Sequence, residues 1–236
     1  MTITILYDNN PYDENLRPDW GFSCLIEGPE KTILFDTGAS GSILMSNIKK
    51  LGVNPKDIDI IFISHNHYDH VGGLWDFLKV NNKVKVYFGQ SYPESFKEKV
   101  KQAGAEPISI DSSQQIYPDV YSAGEMGLMI KEQVLVINRD EGSILITGCA
   151  HPGVVTVAKK AKELSKDKLY LVLGGFHLFG TSEREIKKII SQFREMRVAK
   201  VAPCHCSGDR AKGMFKEEFK GDFIRIGVGG RIEIDQ

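Results

Sequence analysis

All six histidines of this chain fall in four short segments: SHNHYDH (His65, His67, His70), GCAHPG (His151), GGFH (His177) and PCHC (His205). Each segment follows a run that reads as a β-strand. A lone histidine is ordinarily a hydrogen-bonded surface or core residue, but six at strand ends, with Asp69 among them, make a donor set. His65 and His67, two apart after IDIIFIS, point the same way if the backbone stays extended. With His151 as third ligand, three neutral imidazoles around Zn²⁺ leave a fourth tetrahedral position for water, as in a catalytic zinc site. Asp69 and His70 offer a carboxylate and another imidazole about one turn further on, and His205 completes that second set. Two ions ~3.5–4 Å apart lower the pKa of a shared water and stabilise charge on attacking and leaving oxygens. The expected chemistry is hydrolytic or phosphoryl-handling, with two divalent ions. Zinc is the first choice, and iron or manganese also suits a histidine-rich site.

The elements that must position these residues are short strands alternating with amphipathic helices. Strands are expected at TITILYD, FSCLIE, KTILFDT, IDIIFIS, KVKVYFG, EQVLVIN, SILITG, LYLVLGG and KVAPCH, with a terminal pair around FIRIGVGGRIEI. Helices are expected at SILMSNIKKLG, after the first histidine cluster, and at PESFKEKVKQAG, VVTVAKKAKELSKD, SEREIKKIISQFREM and RAKGMFKEEF. This order is neither all-β nor strict βα alternation, and it fits an α/β (α+β) fold with a layered αββα sandwich. The stretch SSQQIYPDVYSAGEMG is turn-rich and weakly periodic, so it reads as a loop or seam. Residues 1–236 are read as one domain of two similar halves, with the seam near 111–127.

Composition excludes several partners. The 236 residues carry 30 Lys plus Arg against 31 Asp plus Glu, a net charge of −1, which argues against a nucleic-acid or charged-membrane partner and for a small-molecule substrate. No apolar run approaches the ~20 residues of a membrane span, and MTITILYDNN reads as a first strand rather than a signal peptide. Four cysteines (Cys24, Cys149, Cys204, Cys206) do not form a secreted disulfide framework, so a reducing, cytoplasmic location is expected.

His-x-His-x-Asp-His resembles the signature of the metallo-β-lactamase superfamily, and the later histidines arrive in the expected order. LFDTG resembles the family's early motif, in which the aspartate, here Asp36, supports the metal loop through hydrogen bonds. GGL after the cluster is also similar. The resemblance runs from about residue 30 to 206 and implies the four-layer αββα metallo-β-lactamase sandwich. One departure stands out: most relatives carry a bridging aspartate between the third and last histidine motifs, and LYLVLGGFHLFG has no acid there but has His177. His177 is then a terminal metal ligand or a substrate-facing proton donor, or the bridge is a hydroxide alone. A flavodiiron site is not expected, because that branch needs a glutamate where this chain has His67.

GCAHPG, GGFHL, APCHC and the ending IGVGGRIEI resemble one branch, the dihydropterin-handling synthases. That branch is described as joining a dihydropterin-methyl diphosphate to a ribofuranosyl-aminobenzene phosphate with release of diphosphate. Three readings follow: a metal-dependent hydrolase or transferase of a small phosphorylated compound, including a general phosphoesterase; that synthase itself; or a non-catalytic protein that keeps metal for binding or sensing. Asp69 and His177 are the expected catalytic residues. Cys204 and Cys206 are expected to face away from His205 and pack in the core, with Cys149 also a packing residue. Ser207 or Asp209 is expected to cap the helix after PCHC, with Arg210 and Lys212 as phosphate-steering or merely solvated cations.

Overall fold

The first strand, TITILYD, is buried along nearly its whole length rather than on alternate residues, the pattern of a strand covered on both faces. The computed structural model describes residues 1–28, 30–165 and 168–234. The chain divides into two compact units, Met1–Asp111 with Ile226–Gln236, and Ser112–Arg225.

In the first unit, β1 (Thr2–Asp8), β2 (Phe22–Glu27) and β3 (Thr32–Phe35) run antiparallel in sequence. Beyond them β4 (Ile60–Phe62), β5 (Lys85–Gly89) and β6 (Glu106–Ile110) continue the sheet in parallel with β3. The parallel connections carry α1 (Gly41–Lys50), the single-turn α2 (Tyr68–Val71) with α3 (Leu74–Val80), and α4 (Glu94–Gln102). Leu6, Leu25, Leu34, Ile61 and Val86 of the strands form one core cluster with Ile43, Leu44, Leu74, Phe77 and Phe96 of the helices. Each such side chain contributes about 1.5–3 kcal/mol on burial. Parallel pairing places the C-terminal ends of β3 and β4 side by side, so the loops that follow them are neighbours.

In the second unit, β7 (Gln114–Tyr117), β8 (Val120–Ser122), β9 (Leu135–Ile137) and β10 (Ser143–Thr147) are antiparallel neighbours. Then β11 (Leu169–Gly175) and β12 (Lys200–Cys204) extend the sheet in parallel with β10. Helices α5 (Val154–Leu164) and α6 (Glu183–Glu195) make the crossovers, and α7 (Asp209–Phe219) follows β12. In α6, Ile186, Ile189, Ile190 and Phe193 are buried at i, i+3, i+4 and i+7, and the Ser182 hydroxyl caps its start by accepting from the Glu185 amide at 3.3 Å. The ends of β10, β11 and β12 again lie side by side. The last strand, β13 (Arg231–Glu233), returns to pair antiparallel with β1.

Two sheets with their helices make this a mixed α/β protein. Three expectations need correction. SSQQIYPDVYSAGEMG contains a hairpin, β7 to β8, whose Gln114 and Gln115 face solvent and so leave no apolar alternation to read. Glu106–Ile110 is an unforeseen strand, because Pro107 and its half-exposed neighbours disguise it. Of the terminal pair, only Arg231–Glu233 is a strand, while Phe223 makes an isolated bridge to Val201. The part of the expected helix VVTVAKKAKELSKD at residues 166–167 lies outside the described residues. Among the described residues, no helix is long and apolar enough to cross a membrane.

Candidate metal centre

The first unit gathers His65, His67, Asp69 and His70 around one buried carboxylate. Asp36 leaves the end of β3 with φ +53, and its amide donates to the Phe62 carbonyl at the end of β4 (2.8 Å). Its Oδ1 accepts from the Ser64 amide (2.7 Å), and its Oδ2 accepts from the Ser64 hydroxyl (2.7 Å) and from His70 Nδ1 (2.6 Å). The one hydroxyl hydrogen of Ser64 goes to Asp36, so at the 2.9 Å contact with His65 the Ser64 oxygen accepts from Nδ1–H. Both imidazoles therefore carry their proton on Nδ1 and present the Nε2 lone pair.

Those lone pairs meet other donors. His65 Nε2 lies 3.1 Å from His67 Nδ1, and His70 Nε2 lies 3.7 Å from Asp69 Oδ2. The rings of His65 and His70 are 4.1 Å apart at their centroids. One turn of α2, opened by the His67 carbonyl, brings Asp69 and His70 back beside His65. The loop fits only because the next residues have no side chain: a Cβ on Gly72 would stand 2.1 Å from the Ala39 oxygen, and one on Gly73 2.2 Å from the Thr37 oxygen.

In the second unit the turns after β10, β11 and β12 carry His151, His177 and His205. Ala150, His177 and His205 all adopt left-handed backbone (φ +58, +51 and +46), a conformation that costs a non-glycine residue energy and marks functional sites. Glu132, fully buried just before β9, holds the first turn. Its Oε1 accepts from the amides of Cys149 (2.9 Å) and Ala150 (2.8 Å), and its Oε2 from the His151 amide (2.8 Å) and His151 Nδ1 (2.8 Å). His151, like His70, thus presents Nε2.

His177 is largely exposed, with its ring 4.6 Å from that of His151. His205 is buried and opens the 3-10 turn His205–Ser207. The strand ends at Cys204, so Cys206 is buried as expected but on the 3-10 turn rather than as a continuation of the strand. The donor atoms of Cys149, His177 and Cys206 all lie within 4.8 Å of one another. Hydrogen bonding from Cys149, with further help from His177 and His205, holds the Cys206 thiol well below the usual thiol range despite its burial. The bond to Cys206 in turn raises the His177 pKa, against partial desolvation and with help from Glu132. Cys24, in the first unit, behaves oppositely: burial and the charge of Asp36 push its thiol up. Neither Ser207 nor Asp209 caps α7, whose N-cap is Gly208. Ser207 accepts from the Phe176 amide (3.1 Å) and donates to the Cys204 carbonyl (2.6 Å), while Asp209 pairs with Lys212 (2.8 Å).

The donor chemistry of both sets fits a divalent ion: imidazoles locked in the ligating tautomer, a carboxylate and thiols, with buried carboxylates behind them. Sequence reasoning missed Glu132, which sits at the head of the EQVLVIN strand pattern, where a charged residue passes for a solvated strand start.

A family model for the metallo-β-lactamase superfamily matches residues 17–157. A 7,8-dihydropterin-6-methyl-4-(β-D-ribofuranosyl)-aminobenzene-5'-phosphate synthase of Methanocaldococcus jannaschii is 31% identical, with 98% of this chain and 95% of that protein covered. An uncharacterized protein of the same organism is 34% identical over 89% of this chain and 91% of its own length. The crystal structure of Tm1679, described as a metal-dependent hydrolase of the β-lactamase superfamily, superposes with a TM-score of 0.84 at 30% identity, with both chains covered fully. The chain belongs to the metallo-β-lactamase superfamily, which has enzymatic members and typically binds divalent metals.

Proposed function

We propose that this chain is a cytoplasmic metal-dependent enzyme, a hydrolase or transferase of a small phosphorylated substrate, with two divalent ions, zinc first, held by His65, His67, Asp69, His70, His151 and His205. The observation that carries the proposal is a pair of buried carboxylate to imidazole bonds, Asp36 to His70 at 2.6 Å and Glu132 to His151 at 2.8 Å. Each commits Nδ1 and leaves Nε2 to ligate, which is the second-shell device of metal sites. The four cysteines are free thiols, as suits a reducing compartment.

Bound divalent ions would supply Lewis acidity toward a phosphoryl oxygen and acidify water. Asp69, on its own turn of helix, holds a carboxylate at the edge of the histidine set and orients the reacting oxygen. His177 is the proton donor to the leaving group, a hydrogen-bond partner of the substrate or a terminal metal ligand. Its exposure gives it access to a ligand, and the bond to Cys206 raises its pKa. His177→Gln should then lower turnover roughly 10²–10⁴-fold without loss of fold.

Within this class the synthase relative favours the product that its name gives, and the branch resemblance supplies the substrate pair for it, a dihydropterin-methyl diphosphate and a ribofuranosyl-aminobenzene phosphate. The experiment is to supply each alone and both together to zinc-loaded protein and to measure diphosphate. Release only with both present supports the transferase, and turnover with water alone makes the chain a hydrolase. Asp69→Asn should cut turnover far more than it alters folding. Equal turnover at full metal content would remove Asp69 from its role.

A further inference from the structure

Cys149, His177 and Cys206 form a donor set of their own within the second unit, with ligand atoms all within 4.8 Å of one another. Packing alone would place these sulfurs as it places Cys24, which lies inside β2 opposite Phe35 among apolar neighbours. Cys149 and Cys206 stand instead on the turns that follow β10 and β12, beside the exposed ring of His177.

Three hydrogen bonds stitch these turns together: Gly175 amide to Gly148 carbonyl (3.1 Å), Phe176 amide to Ser207 hydroxyl (3.1 Å) and Phe179 amide to Cys206 carbonyl (3.3 Å). The approach is so close that a Cβ on Gly175 would lie 2.7 Å from the Cys206 sulfur. His177 is held in left-handed backbone between those bonds. A strained residue fixed from both sides, with two sulfurs at its ring, is a preorganised set rather than loose core.

Two thiolates and one imidazole are a set that catalytic zinc uses, with the fourth position left to water or substrate. Soft sulfur donors also favour zinc over magnesium or manganese. The charge argues the same way, since the segment after β11, GGFHLFG, has no acid to neutralise a dication.

We infer that Cys149 and Cys206 are thiolate ligands of a divalent ion, with His177 as the third donor, and that they supply the negative charge this chain lacks as a carboxylate after β11. Binding releases to solvent the protons that the two thiols and the imidazole hold in the metal-free protein. The inference rests on the metal-dependent reading above.

The test is the full chain stripped with a chelator and titrated anaerobically with Co²⁺. Electronic absorption and bound cobalt are read together. Wild-type protein should develop a sulfur-to-cobalt charge-transfer band in the near ultraviolet beside the visible ligand-field bands. Cys149→Ser and Cys206→Ser should each weaken that band and lower zinc affinity at least about tenfold. Cys24→Ser and Cys204→Ser should leave it unchanged. Cobalt bound with ligand-field bands but no charge-transfer band in wild type would overturn the thiolate assignment and leave the metal-dependent reading standing. So would a band lost only with Cys204. No bound cobalt at all would overturn both. The wild-type spectrum decides the matter even if a serine variant fails to fold.

Discussion

Asp36 in the first unit and Glu132 in the second are both fully buried carboxylates that accept a hydrogen bond from the Nδ1–H of a histidine, yet they do so from different positions. Asp36 bonds one amide, one hydroxyl and one imidazole, and through Ser64 it reaches a second imidazole. Glu132 bonds three successive amides, of Cys149, Ala150 and His151, and one imidazole. The aspartate is chiefly a device for setting tautomers. The glutamate is chiefly a device for folding a turn, with one tautomer set as well.

Substitutions should separate the two roles. Glu132→Ala removes the acceptor of two buried N–H groups at about 1–3 kcal/mol each and of a part-buried third, so a loss of roughly 3–6 kcal/mol is expected in urea denaturation of metal-free protein. Asp36→Asn should cost less, about 1–3 kcal/mol, because its carbonyl oxygen still accepts from the Ser64 amide. Its NH₂ group, however, faces Ser64 and His70. It reverses the hydroxyl and drives the protons of His65 and His70 onto Nε2, so zinc affinity should fall about 10–100-fold. Calorimetry of the apo proteins and zinc titration read the two effects apart. Equal losses of stability and of affinity in both variants would abolish the distinction.

The same contrast explains what could be read beforehand. Asp36 was legible through the resemblance of LFDTG to the superfamily's early motif, and the histidines were legible because each follows an apolar run. Strand and helix positions with buried stripes, such as Ile186 to Phe193, were legible by period. Glu132 was not, because its partners lie 17–19 residues downstream and a long-range bond to a turn leaves no spacing rule. Cys206 is buried as its alternation suggests, but the strand does not reach it, because His205 takes left-handed backbone and one such residue ends the alternation. The β7 to β8 hairpin was hidden by polar outward residues that only pairing orders.

Two serines test the comparison on a smaller scale. Ser207→Ala deprives the buried Phe176 amide of its acceptor and should cost about 1–2 kcal/mol. Ser64→Ala removes a hydroxyl from a carboxylate that keeps the Ser64 amide and His70, so about 1 kcal/mol or less is expected. The two denaturation midpoints should rank in that order, and the reverse order would mean that the first unit depends on its serine for more than tautomer control.

The smallest effect concerns pH, and it singles out the second unit, where a thiol faces an imidazole. His177 has its folded pKa raised, chiefly by the bond to Cys206, so the fold favours its protonated form. That contribution is present below the ordinary histidine value and disappears as pH rises through the higher folded value. In metal-free protein the stability gap between wild type and His177→Gln should therefore be widest near about pH 6 and close on the alkaline side. His177 is exposed and its charge screened, so the gap should be only a few tenths of a kcal/mol. Cys206→Ser in the same background should flatten the pH dependence. A gap that instead widened with rising pH would show that the Cys206 thiol does not raise the His177 pKa, and the two units would then orient their imidazoles by carboxylates alone.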